Sequence, residues 1–227
     1  MDISLRLEKI ALMVNKCKVC ADIGTDHGYI PIYLVKNGIC EKAIASDINK
    51  GPVEKARFNI LMENLQGKID CRIGGGLTTV KYGEIDSSVI AGMGGNLIRD
   101  IILERKEIFD SLDFSVLQPV QHPEILRKFL IENGYSIIDE DLCYDEGKYY
   151  EIIKAKKGED KKVFQEINYE ISGILVEKKH PLLCDYINFK INRYMNIYES
   201  IQESTETALA RKEELKIKIS NLRGIEI

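Results

Sequence analysis

The chain has 227 residues, a formal net charge of −4 at pH 7 and a hydrophobic content of 44%. This length allows one large domain, or one domain with a smaller second part. No run approaches the roughly 18 to 20 apolar residues that span a bilayer, and the first residues do not resemble a signal peptide. We therefore expect a soluble, cytoplasmic enzyme, and the charge argues against a strongly basic nucleic-acid binder.

Two elements are predicted before the first glycine-rich turn. Apolar residues recur at helical spacing over 4–14, which predicts an amphipathic helix. A β-branched run over 19–23 predicts a strand. Cys17 and Cys20 have a C-x-x-C spacing, but without further ligands nearby they indicate buried, reduced thiols rather than a zinc or redox site.

The turn after this strand reads Asp22-Ile23-Gly24-Thr25-Asp26-His27-Gly28, and an apolar helix is predicted over 29–35. A strand, a tight glycine turn and a helix bring backbone N–H groups close to a nucleotide-like ligand. The carboxylates of Asp22 and Asp26 would repel a pyrophosphate, so a ligand with a cationic centre and sugar hydroxyls is favoured. S-adenosyl-L-methionine (SAM) has a sulfonium, an ammonium and a ribose, and fits this description.

A second predicted strand, over 42–47, ends in Asp47, which lies 25 positions after Asp22. An acidic residue about 20 positions beyond the first turn accepts hydrogen bonds from ribose hydroxyls in nucleotide-binding folds. Alternatively, Asp47 only ends the strand or caps the next helix. That helix is predicted over 52–64, where Pro52 suits the first turn.

Two further glycine runs follow predicted strands. Gly74-Gly75-Gly76 follows a strand over 69–73, and Gly92-Met93-Gly94-Gly95 follows a strand over 88–91. Ligands of open parallel sheets bind beyond the carboxyl ends of the strands, near the switch point. We expect both runs to line the ligand site, although mobile turns would have the same composition.

The later part of the alternating region predicts three more strands, over 114–118, 136–139 and 149–155, and two helices, over 96–105 and 123–133. Alternation of strands and helices predicts an α/β fold with a mostly parallel sheet that is covered on both faces. The loop between the last two strands is too short for a crossover helix, so these two strands should pair antiparallel.

After residue 157 the strand signals stop. One helical stripe runs over 164–175, His180-Pro181 interrupts it, and a second stripe over 187–222 alternates steps of four and three, as in a coiled-coil heptad. This pattern predicts a domain over 1–157 and a helical coiled-coil hairpin over 158–227, with one arm longer than the other. The hairpin would serve either as structural packing or as a lever that grips a large, elongated substrate.

Together these motifs resemble the bacterial tRNA (adenine-N1)-methyltransferase family that modifies adenine 22 of tRNA. The resemblance covers almost the whole chain. It rests on Arg6-Leu7, the turn over 22–29, Ile90-Ala91-Gly92-Met93-Gly94-Gly95, Leu117-Gln118-Pro119, Gly147-Lys148-Tyr149-Tyr150-Glu151 and the C-terminal hairpin. Gly75 and Val120 depart from the family's pattern, which has an acidic or polar residue at the first position and Asn at the second.

The resemblance implies a Rossmann-like SAM-dependent methyltransferase fold with a seven-stranded, mostly parallel sheet. SAM is the implied cofactor, S-adenosyl-L-homocysteine its product and tRNA the partner; no membrane or metal is expected, and a monomer is favoured. The candidate cofactor-binding residues are Asp22, Ile23, Gly24, Thr25, His27, Gly28, Asp47, Ile48, Gly75, Gly76, Ala91, Gly92 and Met93. The candidate catalytic residues are Asp26, Tyr29 and Gln118, with His122 as a further residue that could hold the base. For His27 we expect a bond to backbone across the turn rather than acid–base catalysis.

Other functions stay open from the residues alone. One is a SAM-dependent methyltransferase that acts on another RNA, a protein or a small molecule and uses the hairpin for dimerisation. A second is a NAD-dependent oxidoreductase, which Asp26 disfavours because it crowds the position of a pyrophosphate. A third is a non-catalytic RNA-binding protein or scaffold. Residues 158–227 hold 11 Lys and Arg and 12 Asp and Glu, so RNA binding by the hairpin requires a local basic face.

Overall fold

The computed structural model of the protein describes residues 3–159, 166–203 and 205–225. The chain divides into two compact units, Met1–Lys162 and Val163–Ile227, here called the first and the second unit. The predicted functional domains, 1–157 and 158–227, remain a prediction. Within the described ranges, no helix combines the length and the apolar character needed to cross a bilayer.

The first unit alternates strands and helices. Its strands are β1 (Cys17–Ile23), β2 (Cys40–Asp47), β3 (Ile69–Ile73), β4 (Ser87–Gly94), β5 (Phe114–Gln121), β6 (Tyr135–Asp145) and β7 (Lys148–Lys157). Its helices are α1 (Leu5–Leu12), α2 (Tyr29–Lys36), α3 (Lys50–Met62), α4 (Gly95–Glu104), α5 (Lys106–Asp110) and α6 (Pro123–Glu132), with a short 3-10 helix over Gly76–Thr79.

The seven strands form one sheet in the order β3-β2-β1-β4-β5-β7-β6. Strands β1 to β5 pair parallel with one another, and β7 pairs antiparallel with both β5 and β6. The predicted seven-stranded, mostly parallel sheet and its antiparallel last pair are confirmed. The strand order reverses between β1 and β4, so the carboxyl ends of these two strands form the switch point at which open α/β sheets bind ligands.

The centre of this sheet is the core of the first unit. The last four residues of β1, from Cys20 to Ile23, are all buried, as in strands that are covered on both faces. Leu34 of α2 and Ile98 of α4 are fully buried as well. Because the core is apolar around the end of β1, the carboxyl group of Asp22 lies in surroundings that water does not reach.

Several elements differ from their predicted lengths. The sequence predicts a loop over 92–95, but β4 continues through Gly94 after an irregularity at Gly92, whose φ of 74° suits glycine. Strand β6 runs to Asp145 because a two-residue turn, Glu146-Gly147, with positive φ at both positions, closes the β6–β7 hairpin tightly. Helix α5 has no counterpart among the predicted elements.

The second unit contains α7 (Glu166–Glu170), α8 (Gly173–Glu177), α9 (Leu183–Ser200) and α10 (Glu206–Arg223). Helices α9 and α10 are each 18 residues long, and they pack against each other. The C-terminal helical hairpin is therefore formed by these two helices, whose arms are equal in length.

The prediction of one long arm over 187–222 is wrong. Helix α9 ends at Ser200, and Thr205 caps α10 by accepting a hydrogen bond from the Ala208 N–H at 3.3 Å. The first stripe is also divided, because the Ser172 hydroxyl caps a new short helix, α8. Phe164, the first residue of that stripe, lies outside the described residues.

Glu170 joins three helices of the second unit. Its carboxylate lies 2.9 Å from Lys190 Nζ and 2.7 Å from Lys218 Nζ, and accepts a hydrogen bond from the Tyr194 hydroxyl at 2.7 Å. Burial disfavours the charged form, but Lys190 and the hydrogen bonds from Lys218 and Tyr194 lower the pKa of Glu170 to about 2. This ion cluster fastens α7 to the α9–α10 hairpin.

Candidate active site

The turn that follows β1 forms the first part of the candidate site. The N–H groups of Gly24 and Thr25 donate to the carbonyl oxygen of Ser46 at 2.8 and 2.9 Å, which ties the turn to the end of β2. Gly24 has a φ of 80°, and a side chain there would collide with the methyl group of Met93. The positive φ is the reason that glycine is favoured here, since the end of the flexible Met93 side chain could move away from a Cβ.

Asp22 and two hydroxyl groups lie beneath this turn. Asp22 is 4% exposed. Burial raises the pKa of Asp22 to about 7, against the lowering effect of the nearby Thr25 hydroxyl and with a further contribution from the carboxylate of Asp47. Within the described residues, Thr25 Oγ1 and Ser46 Oγ are buried without a hydrogen-bond partner. A buried hydroxyl without a partner costs free energy, so these groups have hydrogen-bonding capacity for a ligand.

Asp26 and His27 occupy the outer part of the turn. Asp26 has a φ of 46°, a left-handed conformation that costs about 1–2 kcal/mol in an L-residue, and its side chain is 67% exposed. The His27 ring stacks on Tyr29 with centroids 5.2 Å apart. Among the described contacts, the His27 ring does not form the expected hydrogen bond to the backbone. The His27 backbone carbonyl instead accepts a hydrogen bond from Asn59 Nδ2 at 2.9 Å.

The ends of β2 and β3 form the second part of the site. Asp47 Oδ1 accepts a hydrogen bond from the Asn49 N–H at 2.8 Å, and Oδ2 accepts none from the residues that the structure describes. Ile48 is 70% exposed, and its Cδ1 lies 3.7 Å from the position of a Cβ on Gly75. A carboxylate oxygen thus lies next to an exposed apolar surface, which suits a ribose with an attached flat ring.

Two predicted site glycines face helices of the protein instead. A Cβ on Gly28 would lie 3.2 Å from the Cβ of Ala56, and one on Gly76 would lie 3.1 Å from Ile101 Cγ2. Both glycines have positive φ, 74° and 51°. Their missing side chains therefore permit close packing of α3 and α4 against the loops.

Gln118 is held inside the protein at the ends of β4 and β5. It pairs in register with Ala91 and is 0% exposed. Its Oε1 accepts a hydrogen bond from Arg6 Nη1 at 2.7 Å, and its Nε2 donates to the Pro119 carbonyl at 2.9 Å. The predicted contact of Gln118 with a substrate would require this fully buried amide to become accessible.

Arg6 is part of this region, although it was not among the predicted site residues. Its guanidinium lies over the ring of Tyr150, 5.3 Å from the centroid, and Nη1 lies 3.5 Å from the position of a Cβ on Gly92. The Arg6 backbone N–H donates to Asp145 Oδ2 at 3.1 Å. Arg6-Leu7 is one of the motifs behind the resemblance, but the contact with Gln118 has no local signal, because the two residues are 112 positions apart.

The β5–α6 connection borders the same region. His122 has a left-handed φ of 56°, and its Nδ1 lies 3.1 Å from Glu124 Oε1. Its side chain is 53% exposed, as expected for a residue that could reach a substrate. A Cβ on Gly94 would meet nothing within 4 Å, so open space lies beside the end of β4.

The cysteines do not add to the site. All six are free thiols. Cys20 is buried as predicted, whereas Cys17 is half-buried and its Sγ accepts a hydrogen bond from Ser87 Oγ at 3.3 Å. Within the described ranges, no group of three or more His, Cys, Asp and Glu residues could hold a metal ion.

Known proteins are similar to this chain in both sequence and fold. Residues 20–224 match the family described as tRNA (adenine(22)-N(1))-methyltransferase. The Bacillus subtilis protein of that name is 32% identical over 218 residues, which cover 94% of this chain and 91% of the relative.

Two solved structures extend the comparison. The crystal structure of the B. subtilis M1A22 tRNA methyltransferase TrmK has a TM-score of 0.89 and 30% identity, over 98% of this chain and 97% of the other. The structure of M. capricolum TrmK with S-adenosyl-homocysteine has a TM-score of 0.83 and 28% identity, over 97% and 96% of the two chains. The expected Rossmann-like methyltransferase fold is thereby confirmed. The chain belongs to the tRNA (adenine(22)-N(1))-methyltransferase family.

Proposed function

We propose that this protein transfers the methyl group of SAM to N1 of adenine 22 in tRNA, and that it does so in the cytoplasm. Beyond family membership, one observation carries the proposal. Two buried hydroxyls without a hydrogen-bond partner among the described residues, Thr25 Oγ1 and Ser46 Oγ, lie at the ends of β1 and β2 with the buried carboxyl of Asp22, at the switch point of the sheet. A ligand with several donors and a cationic group satisfies such a site.

The residues at the switch point fit SAM. The free oxygen of Asp47 would accept hydrogen bonds from the ribose hydroxyls, and Ile48 beside Gly75 would contact the adenine ring. Once the carboxyl group of Asp22 is ionised, it would attract the ammonium group of SAM. The remaining proposed cofactor contacts are Ile23, Gly24, Thr25, His27, Gly28, Gly76, Ala91, Gly92 and Met93. When bound, the cofactor supplies an electrophilic methyl group.

The acceptor places modest demands on the protein. Adenine N1 has an in-plane lone pair, so no proton has to leave before it attacks. Because N1 lies on the Watson–Crick edge, the base must be unpaired or extruded before it enters. The open space beside Gly94 gives room for a base, and Tyr29 offers an aromatic surface. Asp26 is our candidate for the carboxylate that stabilises the positive charge developing on the ring.

We also propose that the α9–α10 hairpin binds tRNA. Lys212, Lys216 and Arg223 follow one another at helical spacing on α10, and Lys212 Nζ lies over the ring of Tyr198 at 5.3 Å. Among the described residues, neither Lys212 nor Arg223 forms an ion pair with a carboxylate. A cavity of about 390 Å³ lies along this face, lined by Met195, Tyr198, Glu199, Lys216, Ile219, Ser220 and Arg223. Cations next to an aromatic ring suit an RNA backbone.

The decisive experiment is methylation of an unmodified tRNA transcript. The transcript is incubated with labelled SAM, digested with nuclease and analysed by mass spectrometry with the modified position mapped. We expect 1-methyladenosine at position 22 and no product from a transcript that carries guanosine there. Direct formation of N6-methyladenosine, under conditions that prevent rearrangement of the N1 product, would contradict the mechanism.

This assay, together with calorimetric measurement of SAM, NAD and tRNA binding, separates the alternatives. Methylation at another position or in another RNA would support a different RNA methyltransferase. SAM binding without RNA methylation would point to a small-molecule or protein substrate, and a chain that binds tRNA but not SAM would be a scaffold. Binding of NAD instead of SAM would indicate an oxidoreductase.

The role of the hairpin is tested in the full chain. Replacing Lys212 and Arg223 together by alanine should raise the KM for tRNA about tenfold through lost phosphate contacts and leave SAM affinity unchanged. Lys42 and Lys68, which lie near the amino ends of β2 and β3, provide a control pair of equal charge. Equal KM values for both pairs would leave the hairpin with a structural role.

A further inference from the structure

We propose that Arg6 binds a backbone phosphate of tRNA next to the nucleotide that is methylated. This inference rests on the proposed function and adds a substrate contact to it. Three observations carry it: the missing counter-ion of the guanidinium, the neutral groups that hold it, and its place on the sheet.

Among the residues that the structure describes, the guanidinium of Arg6 has no carboxylate partner. Four of the five other arginines of the first unit each pair with an acidic side chain at 2.6 to 2.9 Å, namely Arg72 with Glu84, Arg99 with Asp100, Arg105 with Glu107 and Arg127 with Glu140. The fifth, Arg57, is exposed to solvent and donates to the Cys71 carbonyl at 3.1 Å. The Arg6 side chain is half-buried, and within the described residues its only hydrogen bond goes to the neutral amide of Gln118. A partly desolvated cation without a counter-ion is unfavourable by itself, and binding of an anionic ligand would compensate for that cost.

Neutral groups hold this guanidinium in one place. Gln118 Oε1 accepts from Nη1, and the orientation of the amide is itself fixed by the bond from Nε2 to the Pro119 carbonyl. The ring of Tyr150 supports one face of the guanidinium. An arginine has five N–H donors, and the described residues accept a hydrogen bond from only one of those on the Arg6 guanidinium. The remaining donors form a preorganised fork of the kind that binds phosphate.

The strand order places Arg6 at β4, β5 and β7, on the side of the sheet where we expect the acceptor nucleotide to bind. Its guanidinium contacts residues of β5 and β7 and lies beside Gly92 of β4. The proposed ribose and adenine contacts, Asp47, Ile48 and Gly75, lie at the ends of β2 and β3, on the other side of β1. Gly92 is also a proposed cofactor contact, so two anions have to be distinguished, a phosphate of the acceptor and the carboxylate of SAM; the contacts of Arg6 with β5 and β7, beyond β4 from the ribose and adenine contacts, favour the acceptor.

The chemistry of the reaction identifies the anion. The adenine ring becomes positively charged on methylation, so a guanidinium that contacted the ring would oppose the reaction. The anionic part of the acceptor is its phosphate backbone. Since the base has to be extruded, a grip on an adjacent phosphate would also hold the nucleotide in its extruded position.

Two substitutions separate the charge of Arg6 from its hydrogen bond. Arg6→Gln keeps an N–H donor for Gln118 Oε1 and removes the charge, whereas Arg6→Lys keeps the charge. Arg105→Gln is the control, because Arg105 follows the last residue of α4 and is paired with Glu107 at 2.7 Å. For each protein we would measure the Kd for tRNA over a series of salt concentrations, the Kd for SAM and the Tm.

The expected results are specific to a phosphate contact. Arg6→Gln should raise the Kd for tRNA about 10- to 100-fold and lower the slope of log K against log salt by about 1. Arg6→Lys should restore most of the affinity, and the Kd for SAM should not change. An unaltered salt slope in Arg6→Gln would overturn the proposal. So would weakened SAM binding with normal tRNA binding, which would assign Arg6 to the cofactor carboxylate.

A substitution on the RNA tests the contact independently of protein folding. A methylphosphonate at either phosphate flanking nucleotide 22 removes one charge, and one of the two should weaken wild-type binding but not further weaken binding by Arg6→Gln. Full wild-type affinity for both modified RNAs would refute the contact. If the wild-type protein does not methylate tRNA at all, the proposed function fails; if it does and these tests are negative, only the role of Arg6 fails.

Discussion

The carbonyl oxygen of His122 stands where a Cβ on Gly95 would lie, so the absence of that side chain lets the β5–α6 connection pack against the start of α4. The preceding residue differs. Gly94 has a φ of −66° and a ψ of 146°, which any L-residue adopts, and its side-chain position faces open space. Two adjacent glycines thus have different roles, one in packing and one in leaving room.

We expect Gly94→Val to fold and to bind SAM within a few-fold of wild type, but to lose tRNA methylation because the valine fills the space proposed for the base. Thermal melting, calorimetry with SAM and a methylation assay would check this. Gly95→Ala is the matched control for a packing defect at the neighbouring position. Overpacking should lower the free energy of unfolding of this variant by about 1–3 kcal/mol. Normal tRNA methylation by Gly94→Val would place the base elsewhere.

The ribose assignment of Asp47 predicts a loss of SAM affinity. Asp47→Ala should weaken SAM binding by about 1–3 kcal/mol, since hydrogen bonds to a charged acceptor are lost. Asp47→Asn keeps an acceptor for the Asn49 N–H, and so it separates the effect on the turn from the effect on the ribose. Calorimetry should show weaker binding for both variants and no binding of NAD to the wild type. Wild-type affinity in either variant would remove Asp47 from the ribose site.

The raised pKa of Asp22 predicts a pH dependence of SAM binding. The folded, ligand-free pKa is about 7 against an ordinary 3.8, so the contribution of this group to stability is full below pH 3.8 and is lost as the pH rises towards 7. The ionised carboxylate attracts the ammonium of SAM. The affinity for SAM should therefore rise between pH 6 and 8, by at most about tenfold per unit below the pKa.

Asp22→Asn provides the reference for this profile. The amino group of SAM titrates as well, and its contribution remains in the variant. The difference between the two profiles, measured by calorimetry at several pH values, should therefore isolate Asp22. Parallel profiles would show that Asp22 does not titrate against the ligand.

The buried ion cluster of α6, β6 and β7 predicts a large effect on stability. Arg127 is 1% exposed, pairs with Glu140 at 2.7 Å and with Glu151, and these carboxylates hold its pKa above the ordinary value against the effect of burial. Arg127→Met leaves two carboxylates buried and should lower the free energy of unfolding by about 3–5 kcal/mol. Urea denaturation would measure it, with the exposed Lys128→Met as control.

Neutralising the carboxylates should reverse part of this loss. Adding Glu140→Gln and Glu151→Gln to Arg127→Met removes the buried negative charges at nearly constant volume. If the triple variant were no more stable than Arg127→Met, the loss would come from packing rather than from charge.

Local patterns explain why part of the site could be predicted. Asp22 is the last but one residue of β1 and Asp47 is the last residue of β2. Parallel strands present their carboxyl ends at one edge, so two short motifs were sufficient to bring these residues together. The bond from Arg6 to Gln118 depends on the order of β5 and β7 in the sheet, and no short motif encodes that order. The burial of Gln118 follows from the same neighbours. The role of Thr205 cannot be predicted from its spacing, since a threonine at a heptad position is either a weak core residue of one long helix or the cap of a new helix.

Helix α1 is fastened to the opposite end of its unit's sequence. The Arg6 N–H bonds to Asp145, Lys9 Nζ lies 3.2 Å from Asp141 Oδ2, and Lys154 Nζ donates to Asn15 at 2.7 Å, with separations of 132 to 139 positions. On the ribosome α1 emerges well before β6 and β7, so its anchors on these two strands are made late. The contacts of α1 with β6 and β7 therefore form only after nearly the whole first unit has been synthesised, and the guanidinium of Arg6 reaches its place only in a finished sheet.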